Sequence, residues 1–172
     1  MADDPLHVEV VPLDTKRHDR TAFSSGHSRV DNFLRFSASK LLKDNQVRIY
    51  VAVEPNQSRV LGYYAINATS IDNEALDPDQ RSRKTPFDRV PAVYLSFLGT
   101  DRTVQGRGLG TALLFDAMKR VAVLSEQTGI YAIVIDAVDE ERAEFYRKRG
   151  FVDCPGHPLK MAIRVKTIQK LI

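Results

Sequence analysis

Apolar and polar residues alternate from Leu6 to Val11, the two-residue period of a half-buried strand. The period changes after the turn Phe23-Ser24-Ser25-Gly26. Val30, Phe33, Leu34, Ala38, Leu41 and Leu42 recur at helical spacing and predict a helix. Ser28 stands where its cap belongs, with Asp31 three residues on. Val47 to Val53 is rich in β-branched residues, Asn56-Gln57-Ser58 is a polar turn, and Val60 to Ala68 returns as a hairpin partner. From Ile71 to Pro91 the chain is polar and carries Pro78, Pro86 and Pro91. It reads mostly as a loop, and loops of this length are often functional.

Ala92 to Thr100 is the next strand. After a glycine turn, Leu109, Leu113, Ala117, Val121 and Leu124 form the apolar stripe of a helix, and Gly129 suits its C-terminal cap. Ile130 to Ala137 is continuously apolar, as in a strand covered on both faces. A short helix is expected from Asp139 or a neighbour to Lys148, stopped by Gly150. Pro155 and Pro158 bracket a turn, and Leu159 to Val165 alternates again before a short apolar tail. The order β, α, β, β, loop, β, α, β, α, β predicts a single mixed α/β domain over residues 1–172, with helices packed on a central sheet.

Composition adds little to that pattern. The chain has 172 residues, 43% of them hydrophobic and 27% charged, which suits one domain with a sizeable core. No apolar stretch approaches the roughly 18 residues of a membrane span. The acidic start Met1-Ala2-Asp3-Asp4-Pro5 lacks the apolar segment of a signal peptide. A cytoplasmic protein with no membrane contact is expected. The single cysteine, Cys154, excludes an internal disulfide and reads as structural, and His7, His18, His27 and His157 lack metal-ligand spacing, so no metal is expected.

Charge changes the picture more. The net charge of +3 is mild but unevenly placed: Arg81, Arg83 and Lys84 fall in one loop with Arg89 just beyond, and Arg147, Lys148 and Arg149 form a second cluster. These are either solvated surfaces or a basic face for a polyanion.

The candidate chemistry centres on Gln105-Gly106-Arg107-Gly108-Leu109-Gly110, between the apolar strand and the helix. The first amides of a helix lack intrahelical partners and sit at the positive end of its dipole, so this order suits a phosphorylated ligand. The dinucleotide fingerprint fails because Thr111 replaces its third glycine, and the mononucleotide loop fails because no Lys-Ser or Lys-Thr follows Gly110. The remaining pattern, Gln105-x-x-Gly108-x-Gly110, resembles the pyrophosphate loop of the GNAT superfamily of acyl-CoA-dependent N-acyltransferases. Phe145-Tyr146-Arg147-Lys148-Arg149-Gly150-Phe151 is similar to that superfamily's second segment, Phe-Tyr, three residues, Gly-Phe, in the same order along the chain.

The resemblance implies a GNAT fold, with a mixed, mostly antiparallel sheet flanked by helices, and acetyl-CoA as co-substrate. It implies that Gln105, Gly106, Arg107, Gly108, Leu109, Gly110 and Thr111 surround the pyrophosphate, and that Leu98, Gly99 and Thr100 offer backbone groups to the pantetheine arm. Tyr146 then points at the cofactor sulfur and acts as general acid, while Phe145 and Phe151 belong to the core. Asp136, Asp139, Glu140 and Glu141 are candidate bases, none preferred, because acids at a helix start are common and an α-amine of pKa near 8 already has a neutral fraction.

The N-terminal half resembles one branch, the acetyltransferase toxins of bacterial type II toxin–antitoxin pairs. It does so through Phe23-Ser24-Ser25-Gly26, Val30-Asp31-Asn32-Phe33-Leu34, Gly62-Tyr63-Tyr64 and the basic loop from Arg81 to Pro91. Leu98-Gly99-Thr100 departs from the Leu-Ala-Val usual in that branch. The branch implies acetylation of the α-amine of aminoacyl-tRNA, arrest of translation, a ribbon–helix–helix antitoxin as partner and a homodimer. Arg83, Lys84 and Arg89 become the candidate RNA contacts. The alternatives are a housekeeping acetyltransferase acting on a small amine or a protein N-terminus, and a non-catalytic acyl-CoA-binding or nucleic-acid-binding module.

Overall fold

The computed structural model describes residues 4–172, so Met1, Ala2 and Asp3 of the acidic start lie outside it. The first half runs β1 (Glu9–Pro12), α1 (Ser28–Asn32), a π turn (Phe33–Ser37), α2 (Ala38–Lys43), β2 (Arg48–Val53) and β3 (Gly62–Asp72). Short 3-10 turns at Asn73–Ala75 and Pro78–Gln80 lead to β4 (Arg89–Thr100), and a third at Arg102–Val104 leads to α3 (Leu109–Leu124). Then come β5 (Ala132–Asp136), α4 (Glu140–Arg147), β6 (Val152–Asp153), β7 (Lys160–Arg164) and α5 (Val165–Leu171). The strands form one sheet in the order β1-β2-β3-β4-β5-β7-β6. The pairs β1/β2, β2/β3, β5/β7 and β6/β7 are antiparallel and β4/β5 is parallel, the mixed, mostly antiparallel sheet expected.

The chain divides into two compact units, Met1–Ile66 with Phe97–Ala117 and Asn67–Ser96 with Met118–Ile172. The first has its own core, with Phe23, Leu34, Ile49, Val51, Val60 and Tyr63 at its centre. Phe23 meets Tyr63 edge-on at 5.5 Å, and Phe33 stacks on Phe97 at 4.0 Å. The Tyr63 hydroxyl donates to the Val30 carbonyl at 2.7 Å, tying α1 to β3. Burial, aided by the nearby Asp31 carboxylate, pushes the Tyr63 phenol far up. In the second unit, Ile71, Leu76, Val90, Ala92, Val134, Cys154 and Ala162 pack together. Cys154 is a buried member of that core, and burial raises its thiol pKa.

Several features differ from the sequence expectation, among them strand β6, a two-residue strand too short to show a pattern. The helix expected over Val30–Leu42 is present as a continuous run from Ser28 to Lys43 with a π-helical stretch at Phe33–Ser37; Phe33 and Leu34 face the core and Phe36 is 75% exposed. Ser28 does not cap α1, whose N-cap His27 has no side-chain cap bond. The Asp31 carboxylate instead accepts from Ser25 N at 2.8 Å and Ser25 Oγ at 2.6 Å, because the Phe23–Gly26 turn folds back onto it. The 71–91 loop is shorter than expected, since β3 runs on to Asp72 and β4 starts at Arg89, and the apolar tail is helix α5 with Val165 and Ile168 buried.

Candidate active site

In the first unit β4 delivers the chain to Asp101, which is 2% exposed. Its carboxylate accepts from Ser24 N at 3.0 Å, Thr103 N at 3.0 Å and Thr103 Oγ1 at 2.6 Å, and pairs with Arg59 at 3.2 Å. Burial alone raises its pKa, but the donors from Thr103 and Ser24, with Arg59, outweigh burial and hold the carboxyl below its ordinary value. The Gln105 amide donates to the Ser25 carbonyl at 2.7 Å and the Thr100 carbonyl at 2.9 Å. Arg102 N donates to the Ser24 carbonyl at 2.8 Å. The turn at 23–26 and the loop at 100–105 are therefore stitched together, and the Gln105 side chain is a strut in that seam.

Beyond the seam the backbone opens. Gly106 and Gly108 have φ of +79° and +83°, and a Cβ on either would meet nothing within 4 Å. Conformation, not crowding, calls for glycine here, and the open face leaves the backbone free to approach an anion. Ala112 N donates to Gly108 O at 3.1 Å, which starts the α3 ladder. Gly110 and Thr111 lie in its first turn, where the dipole is positive, and Leu109 is buried below. Arg107 reaches back to the Asp4 carbonyl at 2.6 Å. Upstream, Leu98, Gly99 and Thr100 end β4 half-buried. A Cβ on Gly99 would stand 2.6 Å from Val30 Cγ1, so close packing of α1 accounts for the glycine at the position that departs from the toxin branch. The residues present thus form a cradle of the shape and polarity that fits a pyrophosphate.

The second unit holds Tyr146 on α4. Its ring is 9% exposed and meets Phe145 and Phe151 edge-on at 5.1 and 5.4 Å. Phe151 is core, whereas Phe145 is half-buried under the Arg149 guanidinium, 3.8 Å from the ring centre. Burial pushes the Tyr146 phenol up to about 12, partly opposed by Arg142. Among the described residues the Tyr146 hydroxyl has no hydrogen-bond partner. It is a protonated donor at neutral pH with its proton uncommitted.

The four candidate bases have other partners or face solvent. Asp136 accepts from the Tyr94 hydroxyl at 2.9 Å and pairs with Lys160 at 3.0 Å. Asp139 caps α4 through Arg142 N at 2.8 Å, Glu140 pairs with Arg147 at 3.0 Å, and Glu141 is exposed. Within this unit β4 and β5 register only from Ala92↔Ala132 to Tyr94↔Val134, although β5 continues to Asp136. The parallel pair thus parts early, the kind of splay that admits an added ligand backbone.

The basic loop is also in the second unit. Arg83 and Lys84 are exposed, and Arg89 donates to Ser70 Oγ and to Ser70 O, each at 2.7 Å. Of the second cluster, Arg147 is held by Glu140, Glu144 and Asp153, so much of its charge is balanced within the fold. Sequence reasoning missed the exposed Phe87 in the first cluster and the Ser25–Gln105 seam. The first was legible as an aromatic among cations; the second pairs residues 80 positions apart and left no local trace. Among the described residues no group of three or more His, Cys, Asp or Glu is placed to hold a metal ion, and no helix is long and apolar enough to cross a membrane.

This geometry has known counterparts. The chain is 39% identical over 171 residues, 95% of its length and 94% of the relative's, to a probable toxin TacT of Sinorhizobium fredii. It is 35% identical over 154 residues, 90% of each chain, to a tRNA-acetylating toxin of Mycobacterium tuberculosis. Its fold matches the structure of AtaT complexed with acetyl-methionyl-tRNAfMet at TM-score 0.89 and 26% identity, covering 95% of this chain and 98% of that one. It also matches the structure of AtaTR bound with AcCoA at TM-score 0.84 and 27% identity, covering 96% and 98%. A family model for the acetyltransferase (GNAT) domain matches residues 45–153, and the chain belongs to that family of acetyltransferases.

Proposed function

We propose that the chain moves the acetyl group of acetyl-CoA to the α-amine of an aminoacyl-tRNA, as a toxin that stops translation and is neutralised by a cognate antitoxin. The similarity to a toxin over 95% of the chain supports the toxin role, and the similarity to a tRNA-acetylating toxin over 90% of the chain supports this acceptor. In this reading the two units work as one domain. The amides of Gly106–Thr111 bind the pyrophosphate and the Gln105 strut holds their loop in shape. The backbone of Leu98, Gly99 and Thr100 binds the pantetheine arm and polarises the thioester carbonyl. The neutral amine attacks that carbonyl, a C–N bond forms and the C–S bond breaks. Tyr146 gives its proton to the departing sulfur and is reprotonated from solvent, which also takes the proton lost by the amine.

The observation that carries this chemistry is Tyr146: its ring is buried, its phenol is protonated at neutral pH, and its hydroxyl donates to no described residue. Arg83, Lys84 and Arg89 meet tRNA phosphates. The partners are a ribbon–helix–helix antitoxin and a second copy of the chain, in the cytoplasm. The testing experiment incubates purified protein with acetyl-CoA and charged tRNA. Transfer of acetyl to the amino-acid amine is expected. Transfer to a small amine alone would return the reading to a housekeeping acetyltransferase.

A further inference from the structure

The loop between β3 and β4 carries an aromatic ring that the chemistry above leaves unused. Phe87 is 70% exposed. The nine residues 81–89 hold four cations, Arg81, Arg83, Lys84 and Arg89, against one acid, Asp88. Among the described residues none of those cations is in a salt bridge. Arg81 donates to the carbonyls of Leu76 at 3.0 Å and Glu74 at 2.9 Å, and Arg89 to the hydroxyl and carbonyl of Ser70. These neutral acceptors orient the guanidinium groups without cancelling their charge.

The backbone that carries the ring is held in place. Thr85 Oγ1 accepts from Phe87 N at 3.1 Å and closes a tight turn around Pro86. The stems are pinned. The Asn73 side chain exchanges two 2.9 Å bonds with the backbone of Ser82, and Asn73 N donates to the Asp88 carbonyl at 2.9 Å. The Tyr131 hydroxyl donates to the Gln80 carbonyl. A solvent-facing ring on a pinned backbone, among uncompensated cations, suits single-stranded nucleic acid: the cations meet phosphates while the ring offers a face to a base. The same excess of positive charge argues against a second copy of this chain as the occupant, since two such loops repel.

We propose that Phe87 is a stacking platform for an unpaired base of the RNA acceptor, with Arg83, Lys84 and Arg89 on the flanking phosphates. This rests on charged tRNA being the acceptor.

The test compares wild type, Phe87→Leu and Phe87→Trp on two acceptors, charged tRNA and an amino-acid ester that carries no nucleobase. Phe87→Leu is expected to raise the KM for charged tRNA by about fivefold or more, the loss of one stacked base. The KM for acetyl-CoA and the rate on the ester stay at wild-type values, and Phe87→Trp restores tight use of tRNA. The site is exposed, so thermal unfolding of the variants matches wild type. If wild type acetylates charged tRNA and Phe87→Leu does so with the same KM, or loses both acceptors equally, the platform is overturned and the acceptor reading stands. If wild type uses the ester but not charged tRNA, the acceptor reading itself fails. A smaller sedimenting species for Phe87→Leu assigns the ring to a contact between copies and also overturns the proposal.

Discussion

A phenol is a weak acid, and Tyr146 is a weaker one than most because its charged form is poorly solvated where it sits. That keeps the proton on Tyr146 at neutral pH, while making the phenol a poorer acid toward a departing thiolate than a solvated tyrosine would be. The pH profile follows. Activity rises as the acceptor amine loses its proton near pH 8. It does not fall again below about pH 10, because Tyr146 keeps its proton until pH approaches about 12. A descending limb between pH 7 and 9 that vanishes in Tyr146→Phe would contradict this assignment. A second residue-scale prediction concerns Gly99. The Cβ of Gly99→Ala lands 2.6 Å from Val30 Cγ1, so chemical denaturation should show a loss of about 1–3 kcal/mol, recovered in part by adding Val30→Ala.

At the scale of elements, the seam between the 23–26 turn and the 100–105 loop shapes the approach to the glycine cradle. Asp101→Ala removes a buried carboxylate and leaves the amides of Ser24 and Thr103 without their acceptor, and should cost about 1–3 kcal/mol in urea unfolding at neutral pH. The native Asp101 pKa is depressed, so its contribution is present above about pH 4, the unfolded value, and is lost as pH falls through the native one. The variant should therefore lose less stability than wild type on acidification below pH 4.

Periodic elements were legible in the chain. Strands β2, β5 and β7 and helices α3 and α4 fall where alternation, apolar runs and the Gly150 stop place them, but α3 ends at Leu124 in a run of turns and Gly129 is not its cap. The elements that escaped depend on distant partners. The π turn at 33–37 places Phe33 against Phe97, and Asp31 meets Ser25 instead of acting in a helix cap. α5 reads as a tail in the sequence because its seven residues carry barely two turns of pattern. The candidate site was legible where its motifs are local, in Gln105–Gly110 and Phe145–Phe151. What Gln105 holds was not, since both carbonyls it binds depend on the folded loop.

For the whole molecule, a net charge of +3 says little, but its distribution says more. The 81–89 loop carries uncompensated cations, while Arg147 in the second cluster is locked to three carboxylates. Binding of tRNA should weaken steeply with salt, and Arg83→Gln should lower the slope of log Kd against log salt by about 0.7–0.9 with little dependence on tRNA sequence. Arg147→Gln should leave that slope unchanged.

The most direct measurement of the central claim is acetyl transfer to charged tRNA by wild type and Tyr146→Phe, each at saturating acetyl-CoA and tRNA. The phenylalanine keeps the ring packed against Phe151 and removes only the proton donor. Wild type is expected to give N-acetylated aminoacyl-tRNA and the variant a kcat lower by about 10²–10⁴-fold, with the KM for acetyl-CoA little changed. A Tyr146→Phe enzyme that turns over at the wild-type rate would contradict that claim.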